Sequence, residues 1–416
     1  MNALTLSPDQ QAGYEAFSSF LLDPSKSVFV LAGYSGTGKS TLVRTLLGEI
    51  DNLFKMAHLI NPTYPAFDVK LTATTNKACE ALRFITHREV VTIHSALGLR
   101  VHTDYSTNKS TLVVRQGADI VRDTVLFVDE ASFVDEPLLR HIFKRTERCK
   151  IVFIGDPAQL LNVGCDVPPV FHRGFEGAHL SKVVRQAEGN PIIELSTKFR
   201  ETVSSGEFFS FQPDGHFIQH LKREDFDQAI LAEFGRPDWH YHDSKVLAWT
   251  NKCVVAYNRG IREYVQGDPD FQIGDYAVCN SFVVGRKGYS IKTDQLVQIT
   301  DISEPSYEHG LAGKYFTVDN AVEKFMPDSL TEKKALIRQA EAEGNATVLY
   351  EINNNWIDLR AAFSCTINKS QGSTFRKVFI DLDDIKKCTL GSQIARLMYV
   401  GTSRASEQVV FTGDLV

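Results

Sequence analysis

The sequence lacks a hydrophobic run long enough to cross a membrane, and its first residues lack the features of a secretory leader. A membrane-spanning helix needs about 20 consecutive apolar residues. A secretory leader begins with a basic segment and continues with an apolar one, whereas residues 1–4 read MNAL. We therefore expect a cytoplasmic protein with no membrane partner.

Paired cysteines are also missing. Seven cysteines are scattered along the chain, with no C-x-x-C pair and no histidine at the spacing of a zinc site. An odd, dispersed set of this kind is typical of reduced thiols. The pattern argues against disulfide bonds and against a structural metal ion.

The chain has no excess of positive charge. Lys and Arg number 45 against 51 Asp and Glu, which gives a formal net charge of −6. Overall charge therefore does not attract nucleic acid, and any such partner must be bound in a local groove. No repeat period, low-complexity tract or long linker is present, and a length of 416 residues predicts about two to four domains.

What the sequence does contain is a glycine-rich stretch, GYSGTGKS at residues 33–40. An apolar run at 28–32 predicts a buried strand before it, and residues 41–47 predict the start of a helix after it. This order is the phosphate-loop pattern, in which glycines let backbone N–H groups point at phosphate oxygens at the positive end of a helix. Lys39 would reach the β and γ phosphates, and the Ser40 hydroxyl would ligate magnesium. The predicted nucleotide-binding residues are Gly33, Gly36, Thr37, Gly38, Lys39, Ser40 and Thr41. The alternative is a glycine-rich turn with a surface lysine.

Two later strands end in polar residues. Residues 124–128 predict a strand followed by Asp129 and Glu130, at the carboxyl edge of a parallel sheet, where ligands bind. Asp129 would hold the magnesium ion through its hydration shell, and Glu130 would orient and deprotonate the attacking water. A third strand at 150–156 leads to Gln159, which would sense the γ phosphate. A solvated acidic turn and a plain turn are the respective alternatives.

Polar clusters occur at other predicted element boundaries. Ser7 and Pro8 predict the start of an amphipathic helix. On this helix Gln10 would hydrogen-bond an adenine edge, although an exposed glutamine without a role is the commoner outcome. Hydroxyl and amide groups at 74–77 and 91–95 either contact phosphates or cap helices.

The rest of the chain predicts further β structure. Two β-rich arms flank a polar Ser-Thr-Asn-Lys segment within residues 100–115, which predicts a protruding hairpin. The second half contains strands without a phosphate loop, at 245–249, 377–381 and 408–412. Between about 271 and 361 the pattern predicts a small β-rich insertion with short strands at 276–278, 295–299 and 346–350 and one helix at 331–343.

Ten short motifs follow one another in an order typical of one family. In chain order they are Gln10, GYSGTGKST (33–41), TTNKA (74–78), VTIHS (91–95), VDEAS (128–132), GDPAQL (155–160), VVRQ (183–186), AWTNK (248–252), TINKSQGST (366–374) and YVGTSRA (399–405). With these motifs the chain resembles the superfamily 1 DNA helicases, and most closely the superfamily 1B group that includes the bacteriophage Dda helicase. The match runs from Gln10 to Arg404, which is nearly the whole chain.

The resemblance implies an α/β fold of two RecA-like P-loop NTPase domains, each a parallel sheet flanked by helices. It implies a small β-hairpin insertion in the first domain and a β-rich, SH3-like insertion in the second. The implied divisions are 1–99 and 118–188 for domain 1A, 100–117 for its hairpin 1B, 189–269 and 361–416 for domain 2A, and 270–360 for its insertion 2B.

The resemblance also implies ATP-dependent, 5′ to 3′ movement along single-stranded DNA with unwinding of duplex, using ATP and Mg²⁺ bound between the two domains. Arg185 and Arg404 would be arginine fingers on the γ phosphate. Tyr105 in the hairpin would be the wedge that splits the duplex, and Gly372 would contact the nucleotide. The residues implied to grip DNA are Thr75, Asn76, Thr92, His94, Asn251, Lys252, Thr366 and Asn368.

A protein of this family is expected to act as a monomer on single strands and junctions, with single-strand-binding, replication or recombination proteins as partners. Its location would be the host cytoplasm if it is phage-encoded. Three positions depart from the family pattern. Asn368 stands where histidine is usual, Thr74 where proline is frequent, and Ser403 where threonine is common.

Other classes of protein share some of these features. A GTPase would carry an N-K-x-D motif, but residues 251–254 read NKCV. A P-loop kinase would not need a second sheet that carries SQGST and YVGTSRA. A nucleotide-gated DNA-binding protein without unwinding activity would tolerate loss of Glu130 and the two arginine fingers, all of which are present. RNA as the track stays open.

Overall fold

The computed structural model of the protein describes residues 6–104, 109–161, 168–182, 189–285 and 289–415. The chain divides into two compact units. Unit 1 comprises Met1–Arg100, Leu112–Phe209 and Ala395–Ser403, and unit 2 comprises Val101–Thr111, Ser210–Ile394 and Arg404–Val416.

The first half of the chain contains strands β1 (Val28–Gly33), β2 (Asp68–Ala73), β3 (Val90–Thr92), β4 (Leu99–Asp104), β5 (Lys109–Val114), β6 (Val121–Arg122), β7 (Thr124–Asp129), β8 (Thr146–Glu147), β9 (Lys150–Gly155) and β10 (Gly177–Leu180). Its helices are α1 (Pro8–Leu22), α2 (Lys39–Ile60), α3 (Asn76–Thr86), α4 (Ile93–Ala96), α5 (Glu136–Lys144), α6 (Pro169–His172) and α7 (Pro191–Ser205).

Unit 1 is built on a parallel sheet with the strand order β10-β1-β9-β7-β2-β3. Successive side chains of a strand point to opposite faces. Phe29 and Phe127 therefore pack into one hydrophobic cluster, with residues of α1, α2 and α3, while Val30 and Leu126 pack into a second cluster on the other face. The apolar runs of the central strands arise because both faces are covered, and the predicted α/β class is confirmed.

The second half contains strands β11 (Ile218–Leu221), β12 (Ser244–Ala248), β13 (Tyr276–Cys279), β14 (Val283–Val284), β15 (Ser290–Ile291), β16 (Gln295–Ile302), β17 (Ser306–Glu308), β18 (Leu311–Val318), β19 (Val322–Pro327), β20 (Leu359–Arg360), β21 (Ser364–Thr366), β22 (Phe375–Asp381) and β23 (Ala405–Thr412). Its helices are α8 (Arg223–Phe234), α9 (Asn251–Gln266), α10 (Leu330–Glu343), α11 (Ala346–Asn355), α12 (Ile367–Ser370), α13 (Leu382–Ile385) and α14 (Gly391–Thr402).

Unit 2 contains a parallel sheet and an antiparallel one. The parallel sheet has the order β11-β23-β22-β12-β21, and it includes the strands predicted at 245–249, 377–381 and 408–412. The antiparallel sheet has the order β17-β18-β16-β13-β20, with β19 beside β18. It has its own core, which includes Val297 and Phe316, so the predicted β-rich insertion is present.

One predicted strand is wrong. The apolar pattern at residues 346–350 predicts a strand, but these residues form the first half of α11. The Asn345 side chain caps this helix by accepting from the N–H of Val348 (3.2 Å), and Leu349 and Ile352 face the interior at helical spacing. The helix cap and the helical spacing of the buried residues outweigh the β preference of the short Thr-Val-Leu-Tyr run.

The arms of the predicted hairpin, β4 and β5, pair with each other, whereas its tip lies outside the described residues. Helix α7 groups with unit 1, although the second domain was predicted to begin at residue 189; the six-part division stays a prediction. None of the helices in the described ranges is both long and apolar enough to span a membrane.

Candidate nucleotide and DNA sites

The phosphate loop joins β1 to α2. Gly38, immediately before α2, has a left-handed backbone (φ 81°), a conformation that favours glycine. A Cβ at this position would lie 2.3 Å from Nε2 of Gln10, so the Gln10 amide would have to move. The Lys39 ammonium donates to the carbonyls of Gly33 (2.6 Å) and Tyr34 (2.8 Å), which folds the lysine over the loop. The other predicted nucleotide-binding residues of the loop and the first turn of α2 are Gly36, Thr37, Ser40 and Thr41.

Gln10 is buried against this loop, with 4% of its surface exposed. Its Oε1 accepts from the N–H of Ser7 (2.9 Å), and its Nε2 donates to the carbonyl of Gly38 (3.2 Å). Ser7 in turn caps α1, which completes a reciprocal capping box. A side-chain amide has two donor hydrogens and two acceptor lone pairs, so these bonds use half of its capacity. The exposed alternative is wrong, and the adenine contact stays a prediction.

Asp129 and Glu130 follow β7 at the same sheet edge. Asp129 Oδ1 accepts from the N–H of Glu130 (2.9 Å). Burial raises the pKa of Asp129, while that N–H and the positive charge of Lys39 act in the opposite direction. Glu130 has a left-handed backbone (φ 53°), which is uncommon outside glycine and concentrates at functional sites. The phosphate loop and the acidic pair follow strands β1 and β7 of the same parallel sheet, and their roles stay predictions.

The turn after β9 is the third element at this edge. Asp156 is fully buried, and its Oδ1 accepts from the N–H of Ala158 (2.9 Å). Its Oδ2 accepts from the hydroxyl of Tyr399 (2.6 Å), and that hydroxyl accepts from the backbone N–H of Ser35 in the phosphate loop (2.8 Å). Gln159, the predicted γ-phosphate sensor, is also buried in this turn. Tyr399 belongs to the segment Ala395–Ser403, which is part of unit 1.

Arg396 supports the same turn. Its Nη1 donates to the carbonyls of Pro157 (2.8 Å) and Gln159 (2.7 Å). No role was predicted for Arg396 or Tyr399 from the sequence. Tyr399 is the first residue of the motif YVGTSRA, which could have signalled it. The resemblance assigned a role only to the arginine of that motif, so Tyr399 was missed.

Two threonines predicted to bind DNA in unit 1 are helix caps. Thr75 accepts from the N–H of Ala78 (3.1 Å) at the start of α3, and Thr92 accepts from the N–H of Ser95 (3.2 Å) at the start of α4. The alternative of capping is therefore confirmed. Because a cap uses one acceptor lone pair, each hydroxyl hydrogen can still donate to a phosphate oxygen.

The remaining DNA-binding predictions in unit 1 flank these caps. Asn76 is the first residue of α3, and His94 lies in α4. Burial lowers the pKa of His94, which favours a neutral imidazole that donates a hydrogen bond without a charge. The DNA contacts themselves stay predictions.

The predicted DNA-binding residues of unit 2 also lie where parallel strands give way to helices. Thr366, at the end of β21, caps α12 by accepting from the N–H of Lys369 (3.3 Å), and Asn368 follows in that helix. Asn251 and Lys252 are the exposed first residues of α9. The Oδ1 atom of Asn251 accepts from Nη1 of Arg360 (2.7 Å).

A chain of polar contacts connects these motifs to the β-rich insertion. Arg360 also pairs with Asp358 (3.0 Å), and Asp358 accepts from the Asn280 amide (2.7 Å). The ammonium of Lys369 contacts both Asn280 and Asp294, the latter at 2.6 Å. The motifs AWTNK and TINKSQGST are thereby tied to one support, which sequence spacing does not reveal.

The predicted fingers and wedge are only partly within the described residues. Arg404 belongs to unit 2, is 5% exposed, and donates from Nη1 to the carbonyl of Ser373 (3.1 Å). Gly372, the residue before Ser373, has a left-handed backbone (φ 78°). Arg185 and Tyr105 lie outside the described residues. All four roles stay predictions.

Comparison with known proteins assigns the chain to a family. A family model described as AAA domain matches residues 5–222, and one described as UvrD-like helicase C-terminal domain matches residues 361–412. The first match covers more than half of the chain, and the second covers TINKSQGST and YVGTSRA. The chain belongs to this AAA-domain family and contains a UvrD-like helicase C-terminal domain, so it is an ATP-dependent helicase.

This helicase is similar to a Pif1 helicase from Bacteroides, solved with ADP-AlF3 and single-stranded DNA. The TM-score is 0.51 at 14% identity, over 100% of this chain and 94% of that one, which shows the fold. For the Pif1 helicase from Candida albicans the TM-score is 0.42 at 16% identity, with coverage of 98% and 94%. An uncharacterized protein of Acanthamoeba polyphaga mimivirus is 20% identical over 490 residues, 97% of this chain and 98% of that protein. The specific likeness to the Dda helicase stays a prediction.

Proposed function

We propose that this helicase binds ATP with Mg²⁺ at the phosphate loop, moves 5′ to 3′ along single-stranded DNA and unwinds duplex DNA. The main support is that Lys39, Asp129 and Asp156 come together at the carboxyl edge of one parallel sheet. Open α/β sheets bind ligands at this edge. The N-terminus of α2 and the Lys39 ammonium suit a triphosphate, whose oxygens would replace the two loop carbonyls that now accept from Lys39.

The side chains at this edge suit Mg²⁺. The hydroxyl of Ser40, at the start of α2, and the carboxylate of Asp129 are hard oxygen donors of the kind that Mg²⁺ prefers. The ion would bridge the β and γ phosphates and neutralise charge there. Asp129 would bind through the hydration shell, and Glu130 would orient and deprotonate the attacking water.

Arg404 and Arg185 are proposed to complete the site. A guanidinium on the γ phosphate stabilises the charge of the transition state. Closure of the two RecA-like domains on ATP would bring both arginines to the phosphate, and hydrolysis would remove the attraction and let the site reopen.

DNA would lie on the helix N-termini that follow the parallel strands. Thr75 and His94 in unit 1 and Asn251 and Thr366 in unit 2 would hold the DNA backbone alternately, so that each closure becomes a step. Contacts of this kind give little sequence preference and strong salt dependence. The single-stranded DNA bound by the Bacteroides Pif1 helicase supports DNA as the track.

The biological setting is proposed from the resemblance. A monomer acting in a cytoplasm, beside single-strand-binding, replication or recombination proteins, agrees with the family. The mimivirus relative adds support for a viral source.

One set of assays tests the proposal. ATP hydrolysis is measured without nucleic acid, with single-stranded DNA and with RNA, and unwinding is measured on duplexes with a 5′ or a 3′ overhang. We expect DNA to stimulate hydrolysis and unwinding to require the 5′ overhang. Stimulation by RNA alone would favour an RNA helicase, and DNA binding without unwinding would favour a nucleotide-gated binding protein.

Two variants test the catalytic residues. Lys39→Ala and Glu130→Gln should abolish DNA-stimulated hydrolysis and leave DNA binding largely intact, because the DNA groups lie elsewhere. Glu136→Gln is the matched control, since this exposed glutamate pairs with Arg173 on the surface. Hydrolysis near the wild-type rate in either test variant would contradict the assignment.

A further inference from the structure

The Tyr399 hydroxyl bridges the phosphate loop and the turn after β9. It accepts from the Ser35 N–H at 2.8 Å and donates to Asp156 at 2.6 Å. Tyr399 is 2% exposed and Asp156 is fully buried, so water does not compete for these bonds. A hydrogen bond between buried groups is electrostatically stronger than the same bond in water. The hydroxyl therefore sets the distance between the two elements.

Arg396 holds the backbone of the same turn. It lies three residues before Tyr399 on α14, and side chains at this spacing are neighbours on a helix surface. Its guanidinium binds the carbonyls of Pro157 and Gln159. One face of α14 thus fixes the turn at its first residue, Asp156, through a side chain, and at two later residues through their carbonyls.

The bridge connects the two groups proposed to act on the γ phosphate. Lys39 belongs to the phosphate loop, and Gln159 belongs to the turn that α14 holds. A helix N-terminus offers its first N–H groups to a phosphate. The helix α2 begins at Lys39, after Ser35, so Tyr399 does not occupy those groups. The bridge can therefore persist while ATP is bound.

We infer that Tyr399 and Arg396 are positioning residues for ATP hydrolysis, which fix the Asp156–Gln159 turn against the phosphate loop so that Gln159 meets the γ phosphate. This inference rests on the proposed nucleotide site. Because Tyr399 bonds to Ser35 and Asp156, and Arg396 bonds to the backbone of the turn, we expect their loss to affect the chemical step and to leave ATP affinity nearly unchanged.

Tyr399→Phe removes the hydroxyl and keeps the ring. We expect kcat of DNA-stimulated ATP hydrolysis to fall about tenfold, with KM for ATP within about twofold of wild type. The matched control is Tyr64→Phe, because Tyr64 is also buried in unit 1 and its hydroxyl donates to the carbonyl of Leu21, outside the loop and the turn. Thermal unfolding of both variants separates loss of stability from loss of chemistry.

Arg396→Lys is an independent second variant. It keeps the positive charge but loses the planar guanidinium that holds both carbonyls. As for Tyr399→Phe, we expect kcat to fall and KM for ATP to stay unchanged. If Tyr399→Phe fails to fold, this variant decides the question.

Two outcomes would overturn the inference. One is a kcat for Tyr399→Phe equal to that of Tyr64→Phe, together with wild-type kcat in Arg396→Lys. The other is a loss that appears wholly as a higher KM. Failure of the nucleotide site itself is distinguishable, since Lys39→Ala would then keep its hydrolysis.

Discussion

At the residue scale, a buried lysine supports the end of α1. Lys150, the first residue of β9, is 2% exposed, and its ammonium donates to the carbonyls of Phe20 (3.0 Å), Asp23 (2.7 Å) and Lys26 (2.8 Å). The last carbonyls of a helix have no partner within it. One side chain therefore satisfies acceptors of the helix end and of the turn that leads into β1.

Replacement of Lys150 by methionine should destabilise the protein. Three carbonyls, of which that of Phe20 is buried, would lose their donor, and we expect a loss of about 2–4 kcal/mol in the free energy of unfolding. Denaturant titration measures this loss, and Lys144→Met is the control because Lys144 is exposed. Equal stability of the two variants would contradict this role.

The burial of Lys150 also predicts that the free energy of unfolding depends on pH. Burial lowers the pKa of Lys150 to about 8 from its ordinary value of 10.5. Between these pH values the unfolded chain binds more protons than the folded protein. The unfolding free energy of the wild type should therefore rise relative to that of Lys150→Met as pH increases from 8 towards 10.5.

Most residues of the candidate site could be predicted from residue types at fixed spacing in the sequence. Lys39, Asp129 and Glu130 were predicted from strand ends and the phosphate-loop pattern. The structure places them after strands of one parallel sheet, and their roles stay predictions. Tyr399 was missed because its contact depends on tertiary placement, and it lies 364 residues from Ser35 in the sequence. No local pattern reports a hydrogen bond over that separation.

At the element scale, strands buried on both faces were the easiest to predict. A run of apolar residues that ends in a polar cluster, as at 124–128, is typical of a buried parallel strand in an α/β chain. The run at 346–350 failed because five residues do not distinguish a strand from a helix. The pairing order of the insertion strands was not predictable, since it depends on contacts between distant segments.

The hairpin of β4 and β5 gives a prediction at this scale. Shortening residues 103–109 should impair unwinding and spare DNA-stimulated ATP hydrolysis, because the nucleotide groups lie on other elements. A strand-separation assay on duplexes with a 5′ overhang, run beside a phosphate-release assay, measures both. Tyr105→Ala beside Ser106→Ala tests whether the ring itself is the wedge. Unimpaired unwinding by the shortened protein would count against a wedge in this segment.

At the scale of the whole molecule, a protein with a net charge of −6 needs local sites to hold a polyanion. Helix N-termini that follow parallel strands supply backbone N–H groups and hydroxyls without requiring a basic surface. Such positions occur in both units, at Thr75 and Thr92 in one and at Thr366 in the other. We propose that these positions let an acidic chain follow a DNA strand.

The central proposal is that one unit binds the triphosphate and that Arg404 of the other supplies positive charge to it. The most direct test is kcat of DNA-stimulated ATP hydrolysis in Arg404→Lys, with Arg259→Lys as the control because Arg259 is an exposed arginine of the same unit. We predict a loss of about 10³-fold in kcat with little change in ATP affinity, since an arginine finger acts on the transition state. A rate equal to that of the Arg259→Lys control would contradict the account.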